Sequence, residues 1–246
     1  FTDHCEDPDL AKGYLMNEGS VSGRLGVMGQ PVVGEAMQVA RDVMLSEYLN
    51  IPIHIAHVSC RMSADIIAWA KKRGAKVTAE TTPHYLLLDE SEMEGYNTLA
   101  KVNPPLRTPD DREAMREAVR NGTIDIIVTD HAPHIAMEKN TTLDLAPNGI
   151  TGLDLSLTLI WSLVRDGVIT EADLIRLMAE KPAEIFGLPC CRFNPGDPAD
   201  FILFDPDLEW TVTPETLYSK SFNTPYLNKT VRGRTAHSWI GGVRLF

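Results

Sequence analysis

The stretch "IDIIVTDHAPH" (124–134) constrains the fold more than any other part of the chain. Its first six residues are mostly apolar and β-branched, and they run directly into Asp130, His131 and His134. A strand of this kind delivers a carboxylate and two imidazoles at its carboxyl end. The same arrangement occurs three times upstream. Strand-like segments at 1–4, 51–57 and 76–81 lead into Asp3 and His4, into His57 and Ser59, and into Thr81 through His84. Helix-like stretches separate them. Residues 33–49 form one, and 63–73 another, with Ile66, Ile67 and Ala70 on one face and Gly74 as its end. Residues 109–121 form the third, acidic at the start and stopped at Gly122.

Strand and helix alternating on this scale imply parallel β/α units. Four such strands are half of an eight-stranded barrel, whose chemistry gathers at the carboxyl rim. A doubly wound open sheet would normally show a Gly-rich phosphate turn after a strand, and the sequence has none. The expected fold is therefore α/β, the C-terminal half of a (β/α)8 TIM-like barrel. Further on, 150–165 and 171–181 read as amphipathic helices, the second with Thr170 as N-cap and an end before Pro182. From about 196 the texture changes to β-type segments, "PADFILFDP" and "AHSWIGGVRLF", set apart by Pro and Gly. Residues 1–187 are expected to form the barrel portion, and 188–246 a small β appendage with connecting loops.

Composition removes several functional classes. A net charge of −11 argues against a general polyanion-binding surface, so a nucleic-acid partner is not expected. The longest weakly polar segment, 155–164, is too short to span a bilayer, so no membrane association is expected either. Cys5, Cys60, Cys190 and Cys191 have neither disulfide nor zinc-knuckle spacing. An oxidising compartment is not indicated, and a cytoplasmic location is expected.

His4, His57 and Asp130 each stand at the expected carboxyl end of a different strand, and imidazole and carboxylate donors suit zinc or a similar divalent ion. A His or Asp at a strand end is more often a structural hydrogen-bonder; what favours ligation is that three occupy equivalent rim positions. His54 lies three residues before His57 and so faces the other side of its strand, which makes it a packing or supporting residue. His84, after Pro83, reads the same way. Asp130 has a second possible role, taking a proton and passing it to a leaving nitrogen. His134 lies in the loop where an anionic substrate would dock. Asn103 and Arg107 in "NPPLR" are placed to hydrogen-bond a carboxylate or imide, unless this is only a proline-stiffened turn. In "APNGITGL", Asn148 and Gly149 lead into a helix whose first amides suit a carbonyl or anion, although a lone Gly turn is a weak signal.

Taken together, "DHCED" (3–7), "HIAHVS" (54–59), "VTAETTPHYL" (77–86), "KVNPPLR" (101–107), "TDHAPH" with the following "EK" (129–139), "NGITGLD" (148–154) and "NTPY" (223–226) resemble the bacterial type I dihydroorotases of the amidohydrolase superfamily. The similarity runs nearly end to end. It implies a (β/α)8 barrel with a composite β-sandwich, of which 188–246 would be a part, and a centre of two Zn2+ ions. It also implies reversible cyclisation of N-carbamoyl-L-aspartate to L-dihydroorotate in pyrimidine synthesis. His4 and His57 match the ligands on the fifth and sixth barrel strands. Asp130 matches the aspartate of the eighth strand, both ligand and proton shuttle. Asn103, His134 and the backbone of Asn148 and Gly149 match substrate contacts. A homodimer is the implied assembly.

The chain departs from the family pattern in two places. The family's His-x-His pair, the substrate-binding Arg behind it, and the bridging Asp or carboxylated Lys would all precede Phe1. His4, His57 and Asp130 alone fall short of the ligands a catalytic zinc needs. The expectation is that an N-terminal half-barrel exists, attached or as a separate piece, and that residues 1–246 alone neither fold stably nor turn over substrate. Asn148 also stands where the family usually carries Phe or another apolar residue. The alternatives are a hydantoinase or allantoinase acting on related cyclic ureides, and a non-catalytic homologue kept as a structural partner of aspartate transcarbamoylase.

Overall fold

The computed structural model describes residues 1–190 and 192–246. Cys191, half of the adjacent cysteine pair, lies outside the described residues. The chain opens with three strands of two residues each, β1 (Thr2–Asp3), β2 (Met16–Asn17) and β3 (Gly29–Gln30), with helix α1 (Ser20–Leu25) between the last two. Helix α2 (Val33–Leu49) leads to β4 (Ile53–Ile55), α3 (Arg61–Lys72) to β5 (Val77–Thr81), and α4 (Pro83–Leu87) and α5 (Pro109–Arg120) to β6 (Ile126–Ile127), after which comes the short α6 (Ala136–Lys139). Strands β1, β4, β5 and β6 form one parallel sheet in that order, with β2 and β3 paired separately. The result is an α/β fold on a parallel sheet, as the alternation requires.

Strand alternation decides what each face of this sheet carries. Ile53, Ile55, Val77 and Ala79 turn outward into one core with Val39 and Val43 of α2, Ile67 and Ala70 of α3, and Met115, Ala118 and Val119 of α5. The residues between them, His54, Thr78 and Glu80, share the opposite face. His54 sits between the Thr78 hydroxyl at 2.7 Å and the Glu80 carboxylate at 2.9 Å. It is therefore a packed, buried residue. Local signals fix the helix starts. Thr108 caps α5 through the Asp111 amide, with Pro109 in the first turn, and Thr170 caps α8 (Glu171–Ile175) through the Asp173 amide.

Three expected boundaries differ. The strand expected at 124–129 pairs with β5 only through Ile126 and Ile127, because its one neighbour ends there. Residues 150–155 are not helical: Ile150 bridges to His131 and the Thr151 amide donates to the Asn223 carbonyl, so α7 (Ser156–Arg165) starts later. The helix expected to stop before Pro182 continues instead. After α8 (Glu171–Ile175) comes a π turn, Arg176–Glu180, and then α9 (Lys181–Phe186), which holds Pro182 in its first turn. The wider turn accommodates the ring and the missing N–H that would break a regular helix.

The last segment forms a three-stranded antiparallel sheet from β7 (Phe201–Thr211), β8 (Thr230–Ile240) and β9 (Val243–Arg244). It packs on α7 through Trp210, Val212 and Leu217 against Leu155 and Leu159. Gly233 makes the close approach. The Thr158 hydroxyl and the Trp210 indole donate to its carbonyl at 2.8 and 3.1 Å. Its φ is +95°, and a Cβ there would lie 2.6 Å from the Phe204 ring. At the other end, β1 and β6 each pair on one side only among the described residues. The flank beside β1 exposes Phe1, Leu45, Tyr48, Leu49 and Ile51.

Candidate active site

The carboxyl ends of β1 and β4 bring His4 and His57 face to face. His4 Nδ1 lies 2.8 Å from His57 Nε2, and the rings meet edge to face with centroids 4.6 Å apart. His57 follows β4 by two residues in a left-handed backbone conformation, φ +34°, and Asp130 stands after β6 at φ +44°. Such angles are unusual for these side chains and recur where a site dictates the backbone. Burial holds the His57 imidazole below its ordinary pKa, and His4 pushes the same way, against the opposing pull of Asp130 and Glu35. That favours the neutral imidazole, which keeps one ring nitrogen lone pair for ligation.

Asp130 is near enough to act on His57 through space. Its carboxylate does not complete a three-membered donor group with the two imidazoles at a spacing of 4.8 Å, the distance that does bring Asp3, Cys5 and Asp42 together among the described residues. That second group is already engaged within the protein. Arg41 reaches Asp42 at 2.8 Å and Asp3 at 3.4 Å. Burial, together with the hydrogen bond from Asp42, raises the Asp3 carboxyl, and burial beside Asp42 raises the Cys5 thiol far above its usual range. Two carboxylates and a thiol packed under a guanidinium are a structural polar cluster.

The other candidates surround the histidines. Asn103 places its amide nitrogen 3.4 Å from His4 Nε2. Its Oδ1 is buried without a partner, as is His57 Nδ1. His84 is fully buried beside Tyr85, and burial together with His57 lowers its pKa to about 3. His134 Nε2 lies 2.9 Å from the Asn148 carbonyl, which ties the loop after β6 to the loop before α7. The Gly149 amide donates to the Lys101 carbonyl at 2.8 Å, and a Cβ on Gly149 would fall 2.6 Å from that of Ala132. His131 Nδ1 accepts from the amides of Gly152 and Leu153, both at 3.2 Å, which leaves Nε2 as its protonated nitrogen.

Arg107 is not a substrate ligand. It is 3% exposed, and all five of its N–H donors are spent inside the protein. Nε reaches the Ser59 hydroxyl, Nη1 the Asn17 side chain and the Gln30 carbonyl, and Nη2 the Gln30 side chain and Glu35. Three residues given no role from the sequence prove central. Asn223 of "NTPY" donates to the carbonyls of Ala132 and Gly149, each at 3.0 Å, and accepts from the His134 amide at 3.0 Å. Lys101 and Lys139 are both buried. Both fall within motifs quoted above, "KVNPPLR" and "EK", but a lysine in an isolated sequence reads as solvent-facing.

Two imidazole rings converging at two strand ends, with Nδ1 of His57 buried and satisfied by no protein group, fit a divalent cation of the zinc type. Residues 35–244 match the model of the amidohydrolase family. A dihydroorotase of Syntrophotalea carbinolica is 46% identical over 239 residues, 97% of this chain and 56% of the relative. One of Geobacter metallireducens is 48% identical with the same coverage. The chain thus spans little more than half the length of these relatives. Among solved structures, a D-hydantoinase from Bacillus sp. AR9 superimposes with a TM-score of 0.87 at 25% identity, covering 99% of this chain and 56% of that one. A dihydropyrimidinase from Brevibacillus agri shares the fold with a TM-score of 0.83 at 24% identity. From its parallel β/α architecture, its paired rim histidines and these matches, the chain belongs to the amidohydrolase family.

Proposed function

We propose that this chain is the C-terminal portion of a zinc-dependent dihydroorotase, which interconverts N-carbamoyl-L-aspartate and L-dihydroorotate in pyrimidine biosynthesis. The observation that carries the reading is the His4–His57 pair at the ends of β1 and β4, 2.8 Å apart. The identity of 46–48% to dihydroorotases over 97% of the chain favours this substrate class over that of the hydantoinases, matched at 25%.

In this reading residues 1–187 are the second half of a (β/α)8 barrel and 188–246 part of a composite β-sandwich. The remaining strands would be supplied by a preceding half, attached or separate. Two unpaired sheet margins and coverage of 56% of the relatives support that. His4, His57 and Asp130 would hold the metal, two Zn2+ per complete site. When bound, the metal would polarise the ring amide carbonyl. On ring opening Asp130 takes the proton of the water that adds to the ring carbonyl and gives it to the nitrogen leaving as the C–N bond breaks; cyclisation runs the same steps in reverse and releases water. Asn103 and His134, with the backbone at Asn148 and Gly149, orient the substrate carboxylate and imide. A cytoplasmic homodimer, with aspartate transcarbamoylase as a candidate partner, completes the proposal.

The test is to measure metal content and carbamoyl-aspartate cyclisation on the complete polypeptide, alongside hydantoin and allantoin hydrolysis. Cyclisation with zinc present supports the reading. Turnover of hydantoin or allantoin without dihydroorotate replaces it with the cyclic-ureide alternative. A metal-free, inactive protein leaves the structural-partner alternative.

A further inference from the structure

Lys101 and Lys139 are 6% and 2% exposed, and neither ammonium forms an ion pair among the described residues. A buried cation without a counter-ion is expensive and persists only where its donors are used. Here they are used on one loop. Lys101 Nζ donates to the carbonyls of Leu143 and Ala146 at 2.6 and 2.7 Å, and Lys139 Nζ to that of Pro147 at 2.9 Å and to that of Lys101 at 3.4 Å. The Lys101 carbonyl also takes the Gly149 amide at 2.8 Å. Four backbone groups of the 143–149 loop are therefore held by two lysines. An ammonium suits the task because its tetrahedral donors can meet carbonyls converging from several directions, which a planar guanidinium cannot do. Burial lowers both lysines, and Lys139 falls to about 8 with Lys101 beside it.

The loop they hold ends at Asn148, whose carbonyl lies against His134, and at Gly149, whose carbonyl takes the Asn223 amide. Lys101 itself is two residues from Asn103. The lysines thus connect Asn103, His134 and the Asn148 backbone, three of the groups proposed to orient substrate, without pointing at substrate themselves.

We infer that Lys101 and Lys139 are positioning residues, a buried cationic clamp that presets the 143–149 loop for substrate binding. This rests on the dihydroorotase reading. Its signature is a selective effect on KM, because the clamp shapes the binding wall and leaves the His4–His57–Asp130 side untouched.

The test is made in the complete polypeptide with Lys101→Met and Lys139→Met, and with Lys101→Gln and Lys139→Gln, which keep a neutral donor should the Met variants fail to fold. The expected result is a rise of about tenfold in KM for carbamoyl aspartate with kcat within about threefold. Metal content stays at the wild-type level, and hydrogen exchange at the 143–149 amides accelerates while β4 and β5 keep their protection. The Gln variants fall between. Unchanged KM in folded variants overturns the inference, as does a fall in kcat at constant KM, or a parallel loss of kcat and protection across the whole sheet. A wild-type protein that turns over no carbamoyl aspartate sinks the underlying reading instead, and the exchange measurement still reports whether the lysines hold the loop.

Discussion

Nδ1 of His4 and Nε2 of His57 face one another across 2.8 Å although 53 residues separate them in the chain. The parallel register makes this possible. Thr2 pairs with His54 and Asp3 with Ile55, so the two strands end level and their next residues share one mouth.

Removing one partner should remove the ion. His57→Ala in the complete polypeptide is expected to lose at least half of the bound zinc and about a hundredfold or more in turnover. The thermal midpoint of the metal-free protein should change little. Metal analysis beside a melting curve checks it, and full metal occupancy in the variant would remove His57 from the ligand set.

Asp130→Ala tests proton transfer. The side chain is exposed and its backbone already strained, so folding should survive. Turnover should fall by about 10²–10⁴, the range typical of a lost general acid or base. Near-normal rates would contradict the shuttle role.

Arg107 belongs to stability. Arg107→Met leaves Glu35, itself 3% exposed, without its cation and several buried acceptors without donors. Breaking one side of a buried pair destabilises by about 3–5 kcal/mol. Denaturant unfolding should show that loss. If stability holds and only KM rises, the arginine serves substrate after all.

Asn223→Asp replaces an amide that donates to Ala132 and Gly149 by a carboxylate that can donate to neither. The loops after β6 and before α7 should loosen together, seen as faster hydrogen exchange at 132–134 and 149–151 and a KM raised about tenfold. Exchange that changes in one loop alone would show that Asn223 does not couple them.

Lys139 predicts a pH dependence on the alkaline side. Its pKa is lowered in the folded protein from 10.5 to about 8, first by burial and then by Lys101. Below about 8 both states carry the proton and folding bears the whole penalty. Between there and 10.5 the unfolded chain binds the proton that the folded chain has released, so stability rises with pH. Relative to Lys139→Met, the wild type should therefore gain stability across that window. A flat difference would mean that the lysine titrates normally.

The α/β architecture was legible because apolar runs alternate with helix-period segments, each run ending in ionisable or polar residues. His54 and His57 were separable for the same reason, since side chains on a strand alternate. What the sequence did not reveal was set by distant partners. Arg107 in "NPPLR" looks like an anion ligand until Asn17, Gln30, Glu35 and Ser59 converge on it from as far as 90 residues away. Lys101 and Lys139 look solvated until a loop closes over them. Pro182 looks like a helix stop until a π turn makes room for it.

The margins of the parallel sheet carry a practical consequence. The outer sides of Thr2–Asp3 and Ile126–Ile127 offer backbone donors and acceptors to any extended peptide, and the flank with Phe1, Tyr48 and Leu49 adds greasy surface beside one of them. Purified as residues 1–246 alone, the polypeptide should self-associate in a concentration-dependent way that light scattering detects. Solubility, before any assay, will govern how it can be handled.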